Sequence, residues 1–289
     1  MRDLTSKAAT LIEAMPYIQD FRDEIVVVKF GGSAMEDPVL VEQVLRDIIF
    51  MECVGMKPVI VHGGGKAINA RMEREGIPVR KVAGMRVTCE HTVRIVDEEL
   101  HDLNGQVLDL LTKNKARARR ISGKDILTAE KMIVTDPVTG KTADVGFVGD
   151  VTHVYTKPIL EVLQREAIPV ICPLAVDAKG QVFNINADIA AAKIAKALKA
   201  RKLVFLSDVP GMLRNPKDES TLISTIRIGE VDGYIADGTI SGGMLPKVQS
   251  AVDALQAGCR KVHMIDGRLP HSLLLEFFTD KGVGTEIIH

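Results

Sequence analysis

Five short apolar runs constrain this chain more than any other feature. They are Ile25-Val26-Val27-Val28, Pro58-Val59-Ile60-Val61, Ile168-Pro169-Val170-Ile171, Lys202-Leu203-Val204-Phe205-Leu206 and Lys261-Val262-His263-Met264-Ile265. Each is strand-sized and apolar at consecutive positions, so both of its faces need cover. Segments with helix-like apolar spacing, such as residues 39–53 and 187–200, lie between them. Buried strands alternating with helices predict an α/β chain, a three-layer α/β/α sandwich with a mainly parallel central sheet. The 289 residues stand at the upper end of one domain or the lower end of two.

One stretch breaks the alternation. Residues 130–156 place Asp136-Pro137, Thr139-Gly140 and Gly149-Asp150 between β-prone segments. They read as hairpins. The first 21 residues repeat apolar side chains (Leu4, Ala8, Leu11, Ile12, Met15, Ile18, Phe21) every three or four positions. That predicts an amphipathic N-terminal helix over residues 3–20, kinked near Met15 by Pro16. Such a helix either packs on its own domain or serves as an oligomerisation arm.

Charge and composition exclude several functions. The chain has 37 Lys+Arg against 38 Asp+Glu, a net charge of −1 that provides no global field for nucleic acid or an anionic membrane. Aromatic residues are 4% and Trp is absent, which argues against a base-stacking surface. No apolar run approaches the roughly 20 residues of a membrane span. The N-terminus mixes acids and bases and does not read as a signal peptide. Cys53, Cys89, Cys172 and Cys259 are scattered without a CxxC, so reduced thiols in a cytoplasmic protein are expected.

Two glycine-rich turns follow strands, Lys29-Phe30-Gly31-Gly32-Ser33 and His62-Gly63-Gly64-Gly65-Lys66. Glycines at a strand-to-helix turn let backbone amides approach a phosphate. Neither of two familiar phosphate motifs fits. A Walker A loop fails because Ile60 holds the first glycine position and Ala67 follows Lys66; a dinucleotide fingerprint fails because Ile68 replaces its third glycine. One such turn can be a tight connection and nothing more. Two in one chain, the first with a lysine at its strand end, point to anion handling.

At these turns the chain resembles the amino acid kinase superfamily, and within it the acetylglutamate kinase family. The resemblance rests on six motifs in family order: Val28-Lys29-Phe30-Gly31-Gly32, His62-Gly63-Gly64-Gly65-Lys66, Gly84-Met85-Arg86-Val87-Thr88, Phe183-Asn184-Ile185-Asn186-Ala187-Asp188, Ser207-Asp208-Val209-Pro210-Gly211, and Gly242-Gly243-Met244-Leu245-Pro246-Lys247. It implies ATP-dependent phosphorylation of the side-chain carboxylate of N-acetyl-L-glutamate in arginine biosynthesis, with Mg²⁺ on the ATP. Lys29, Lys247 and Asp188 match the catalytic residues. Gly64, Gly65, Arg86, Asn184 and Asn186 match residues around the acetylamino acid. Gly31, Gly32, Ser207, Asp208 and Gly211 match the phosphate and nucleotide side. Ser33, where many relatives carry Asn or Val, departs from the pattern. The resemblance also implies a division into an N-terminal arm (1–22), an amino-acid-binding lobe (23–190) and a nucleotide-binding lobe (191–289). The arm resembles that of arginine-inhibited hexameric members, which makes His263, Glu276 and Gly282 candidates for an arginine site and the chain a homo-oligomer, a hexamer. Whether a signalling protein also binds is not legible in the residues.

The chemistry accords with those residues. A carboxylate acceptor, with an ordinary pKa near 4.3, is already ionised at neutral pH and needs no general base. The obstacle is repulsion between anions, which lysines and oriented amides offset. Asp188 between two lysines would keep both charged. No carboxylate cluster for a protein-held metal is evident. Plainer readings exist for each residue: Lys29 as a snorkelling lysine, Asp188 as a helix cap, Lys247 on a solvated helix face, Arg86 in a surface loop, His62 as a structural histidine. Two other functions remain in view. One is a sibling kinase acting on carbamate, aspartate, glutamate or UMP. The other is a non-catalytic arginine-sensing domain of the kind fused to acetyltransferases, against which stand Lys29, Asp188 and Lys247 and the end of the chain at residue 289.

Overall fold

Val27 faces one side of a sheet, Val26 and Val28 the other, and a core lies on each side. The structure is a computed structural model that describes residues 2–35, 37–135, 140, 142–280 and 282–289, with the side chains of 2–7, 33 and 34 left out. Helix α1 (Arg2–Phe21) leads into β1 (Ile25–Phe30), α2 (Pro38–Cys53) and β2 (Lys57–His62). Helix α3 (Gly65–Arg74) follows the second glycine turn. A small hairpin, β3 (Lys81–Val82) and β4 (Met85–Arg86), precedes the long α4 (Glu90–Lys113) and β5 (Ala118–Ser122). Next come β6 (Leu127–Thr135), β7 (Thr142–Val154), α5 (Lys157–Gln164), β8 (Ile168–Cys172), β9 (Leu174–Val176) and β10 (Val182–Asn184). The remainder comprises α6 (Ala187–Leu198), β11 (Lys202–Ser207), β12 (Thr225–Arg227), α7 (Val231–Ala236), α8 (Leu245–Gln256), β13 (Lys261–Asp266), α9 (Ser272–Phe278) and β14 (Thr285–Ile288).

The five apolar runs all become neighbours in one eight-stranded sheet, ordered β12-β14-β13-β11-β1-β2-β8-β5. Its pairs are parallel except β13 with β14. Val27, Val59, Leu203, Phe205 and Val262 pack against α6 and α8 on one face. Val26, Val28, Ile60, Val204 and Ile265 pack against α2, α4 and α9 on the other. This is the expected sandwich. At roughly 1.5–3 kcal/mol for each large apolar side chain buried, these two layers dominate folding.

The irregular stretch is a closed four-stranded barrel of β10, β7, β6 and β9. β6 and β7 form the expected hairpin. Of its turn, residues 136–139 lie outside the described residues. Gly149-Asp150 is not a turn. Both residues pair within β7, opposite Lys131 and Glu130. Gly149 is there because β7 packs closely: a Cβ would stand 2.9 Å from Ala129, Phe183 and Ile185.

Helix α1 is a single element with Pro16 inside it. Phe21 near its end is buried and meets Phe277 of α9 edge-on at 5.2 Å. Arg201 donates to the Asp20 carbonyl at 2.6 Å. Leu11, Ile12 and Met15 remain exposed. The helix therefore does pack on its own chain, through its C-terminal turn, and leaves an apolar middle uncovered. No helix among the described residues is long and apolar enough to cross a membrane.

Candidate active site

Strands β1, β2, β11 and β13 run parallel, so their C-terminal ends share one edge. That edge gathers Lys29, the two glycine turns and the start of α6. A cleft of ≈ 660 Å³ opens there, lined among others by Lys29, Gly32, Gly63, Gly64, Gly65, Arg86, Asn184, Asn186 and Asp188. Lys29 Nζ lies 2.9 Å from Asp188 Oδ1 as a buried ion pair. Lys247 Nζ donates to Asp188 Oδ2 at 2.9 Å. All three proposed catalytic residues thus meet at one carboxylate. Burial pushes the Asp188 carboxyl up, but Lys29 and then Lys247 outweigh it and hold it at about 2. Burial pushes the Lys29 ammonium down from its usual value, against the pull of Asp188.

Asp188 is not the helix cap. Asn186 caps α6, its side-chain oxygen accepting from Asp188 N at 2.7 Å and Ile189 N at 3.3 Å. The cap leaves the Asp188 carboxylate for the lysines. Asn184 Nδ2 donates to Thr88 Oγ1 at 3.3 Å, which ties the barrel to the loop after Arg86.

Arg86 is buried in the cleft wall, not a free two-pronged clamp. Its Nη2 donates to Gly65 O at 2.9 Å and to Asn69, and its Nη1 faces Met72 Sδ at 3.2 Å. To grip a carboxylate with two parallel bonds it must give up one of these contacts. Burial lowers its pKa from the usual value. Gly64 packs closely: a Cβ would lie 2.6 Å from Leu100 Cδ2 and 3.0 Å from Leu103 Cδ1, so a side chain there requires the two leucine ends to shift.

Gly31 sits beside the Lys29 side chain, 3.1 Å from Nζ as measured from where a Cβ would be. Ser207 ends β11 and Asp208 and Gly211 follow it at the same sheet edge, but none of the three is among the residues lining this cleft. Gly211 packs on Thr285, whose hydroxyl accepts from Met212 N at 2.8 Å. Lys66, Asn69, Lys81, Leu100 and Leu103 line the cleft and escaped the sequence reading. Lys66, inside the HGGGK turn, was the one with a visible signal. Among the described residues no group of three or more His, Cys, Asp or Glu could hold a metal ion.

His263, Glu276 and Gly282 come together elsewhere, in a second cavity of ≈ 500 Å³ near the opposite ends of β11 and β13. Tyr17, Asp20 and Phe21 of α1 also line it. His263 pairs with Glu276, and Val283 N donates to Glu276 Oε2 at 3.1 Å. Gly282, at φ +59, passes so close that a Cβ would stand 2.7 Å from Oε2. Lys202 Nζ lies 4.9 Å from the Phe21 ring centroid and 4.7 Å from that of Phe277. Burial pushes its ammonium down to about 8.

Residues 24–266 match the model of the Amino acid kinase family. The chain belongs to the amino acid kinase family. Among this family's curated members, the acetylglutamate kinase of Akkermansia muciniphila is 45% identical over 99% of this chain and 96% of its own length. That of Heliobacterium modesticaldum is 46% identical over 98% of each. Among solved structures, N-acetylglutamate synthase from Neisseria gonorrhoeae, complexed with coenzyme A and L-arginine, superposes with TM-score 0.84 at 27% identity. The match covers 97% of this chain and 65% of the synthase. Carbamate kinase from Giardia lamblia bound to AMP-PNP, at 19% identity and TM-score 0.63, shares the fold with 92% of this chain and 98% of its own.

Proposed function

We propose that this chain is an acetylglutamate kinase, transferring the γ-phosphoryl group of ATP to the side-chain carboxylate of N-acetyl-L-glutamate. The observation that carries this is the Lys29–Asp188–Lys247 cluster: Lys29 and Asp188 line one cleft with the two glycine turns, and Lys247 pairs with Asp188. The near full-length likeness to acetylglutamate kinases supports it over carbamate, aspartate, glutamate or UMP as acceptor. Their cover of nearly the whole chain also favours it over a non-catalytic sensing domain.

A carboxylate oxygen attacks the γ-phosphorus, the bond to the β-phosphate oxygen breaks, and the products are an acyl phosphate and ADP. The acceptor needs no proton removed. Lys29 and Lys247 counter the negative charge on the transferring group, and Asp188 keeps both ammonium groups charged and in place. Asp188 is committed to the lysines, so Mg²⁺ fits best on the ATP phosphates and water, where it would neutralise phosphate charge. Arg86, Asn184, Asn186, Gly64 and Gly65 would surround the acetylamino acid in the lobe of residues 23–190. Ser207, Asp208 and Gly211 would take the nucleotide in the lobe of residues 191–289. ADP release with N-acetyl-L-glutamate as acceptor tests the assignment.

The second cavity supports feedback inhibition by arginine. A buried carboxylate (Glu276), aromatic rings and a closely approaching glycine suit a guanidinium and its amino-acid end. The exposed Leu11, Ile12 and Met15 of α1 suit a second copy of the same helix, and so a hexamer built through the arm. A cytoplasmic enzyme accords with the four free cysteines. Inhibition assays on the full chain and on a chain starting at Asp23 test this part.

A further inference from the structure

We infer that Asn104 is a positioning residue for phosphoryl transfer: through His62 it fixes the peptide that aims the second glycine turn. Asn104 is buried on α4, outside every motif read from the sequence. Its Nδ2 lies 3.0 Å from the carbonyl of Val170 in β8 and 3.0 Å from His62 Nε2. A carbonyl only accepts, so the amide nitrogen must face Val170. The same nitrogen then donates to His62 Nε2, which must be unprotonated. The proton of a neutral ring is left on Nδ1, and Nδ1 lies 2.9 Å from Gly63 O. Two carbonyls, one at each end of the relay, fix the same tautomer.

Gly63 is thereby held on both sides. Its N–H donates to Phe30 O at 2.7 Å, and its C=O accepts from His62. A trans peptide points its C=O and the next N–H in opposite directions. Anchoring Gly63 O on buried His62 aims the Gly64 N–H away from the core, and Gly64 lines the cleft. The first glycine turn is braced too, since a Cβ on Gly31 would sit 3.4 Å from Gly63 Cα. An error of about 1 Å in such a turn costs on the order of a hundredfold in rate.

His62 is fully buried, and burial first of all holds it at about 4, so the ring stays neutral at working pH. Few titratable groups stand near. α4 brings His101, whose charge opposes protonation of His62. β1 brings Lys29, paired with Asp188 of α6, and β8 brings the buried thiol of Cys172.

Asn104→Asp tests the relay, because it makes the His62 tautomer, which is fixed in the wild type, depend on pH. A carboxylate at 104 accepts from Nε2–H. While His62 is doubly protonated, Nδ1–H still holds Gly63 O. Once one proton leaves, the ring keeps Nε2–H for the carboxylate, and Nδ1 presents a lone pair to Gly63 O. The variant loses the bond to Val170 O at every pH, which lowers its kcat by a constant factor and leaves the pH dependence of the ratio to wild type as the readout. Its kcat relative to wild type should fall further, by about tenfold or more, as pH rises from 6 to 9. A flat ratio overturns the inference, since a packing role would lower activity equally at every pH. Nitrogen-15 NMR of the wild-type histidines gives an independent arm should the variant fail to fold. His62 should be in the Nδ1–H form and should not titrate above pH 6; an Nε2–H form overturns the relay. The inference rests on reading this turn as part of the phosphoryl site. If that reading is wrong, Lys247→Ala keeps its kcat while the NMR result stands, so the two failures are distinguishable.

Discussion

Lys247 Nζ donates to Asp188 Oδ2 at 2.9 Å, which joins the start of α8 to the start of α6. The same carboxylate faces Lys29. One buried anion therefore sets the position of two cations on different elements, and the account predicts that losing either arm is felt in the chemical step.

Lys247→Ala should lower kcat by about a hundredfold or more, corresponding to the roughly 3–4 kcal/mol of a lost transition-state donor. Its thermal stability should change little, because the Lys247 side chain is only partly buried. Asp188→Asn should be worse on both counts, since it leaves buried Lys29 without its counter-charge. A stopped or steady-state assay at saturating ATP, paired with a melting curve, checks both.

Arg86→Lys should raise KM for the amino acid well beyond its effect on KM for ATP. A lysine has no planar fork and cannot hold Gly65 O, Asn69 and a substrate carboxylate together. Equal shifts in the two KM values would remove Arg86 from the acceptor side.

Acid stability should bear the mark of His62. Free in the unfolded chain it titrates near 6.5, but burial keeps it neutral in the fold down to about 4. Below pH 6.5 the unfolded state binds a proton that the folded state does not, so stability falls between pH 6.5 and 4 and this contribution levels off below. At 1.36 kcal/mol for each pH unit, the loss is about 3 kcal/mol. Urea unfolding at pH 7 and 4.5 measures it, and His62→Gln should flatten the slope.

A chain beginning at Asp23 lacks Tyr17, Asp20 and Phe21, which line the second cavity. It should keep its basal kcat and lose sensitivity to arginine, at a coupling of about 1–3 kcal/mol in the full chain. Light scattering should find it smaller than a hexamer.

The strands were legible where both faces are buried, because β1, β2, β8, β11 and β13 must be apolar throughout. β5 was not, since its Arg119 and Arg120 sit exposed on an edge strand that needs no apolar cover. The barrel was visible only as its β6–β7 hairpin; β9 and β10 are three residues each, too short for a period. Lys29 stood out by its place after four β-branched residues. Lys247 without its motif looks like any helix-surface lysine, and only the fold brings it to Asp188. Asn104, Asn69 and Met72 act through partners from other elements, and no local pattern announces such contacts.

The most direct measurement is ADP release by the full chain, with N-acetyl-L-glutamate compared against glutamate, aspartate, carbamate and UMP. The account predicts turnover with N-acetyl-L-glutamate and little with the others, because the cleft is read as one for an acetylated acceptor carboxylate. Preference for any other acceptor, or ATP binding without turnover of any, would contradict it.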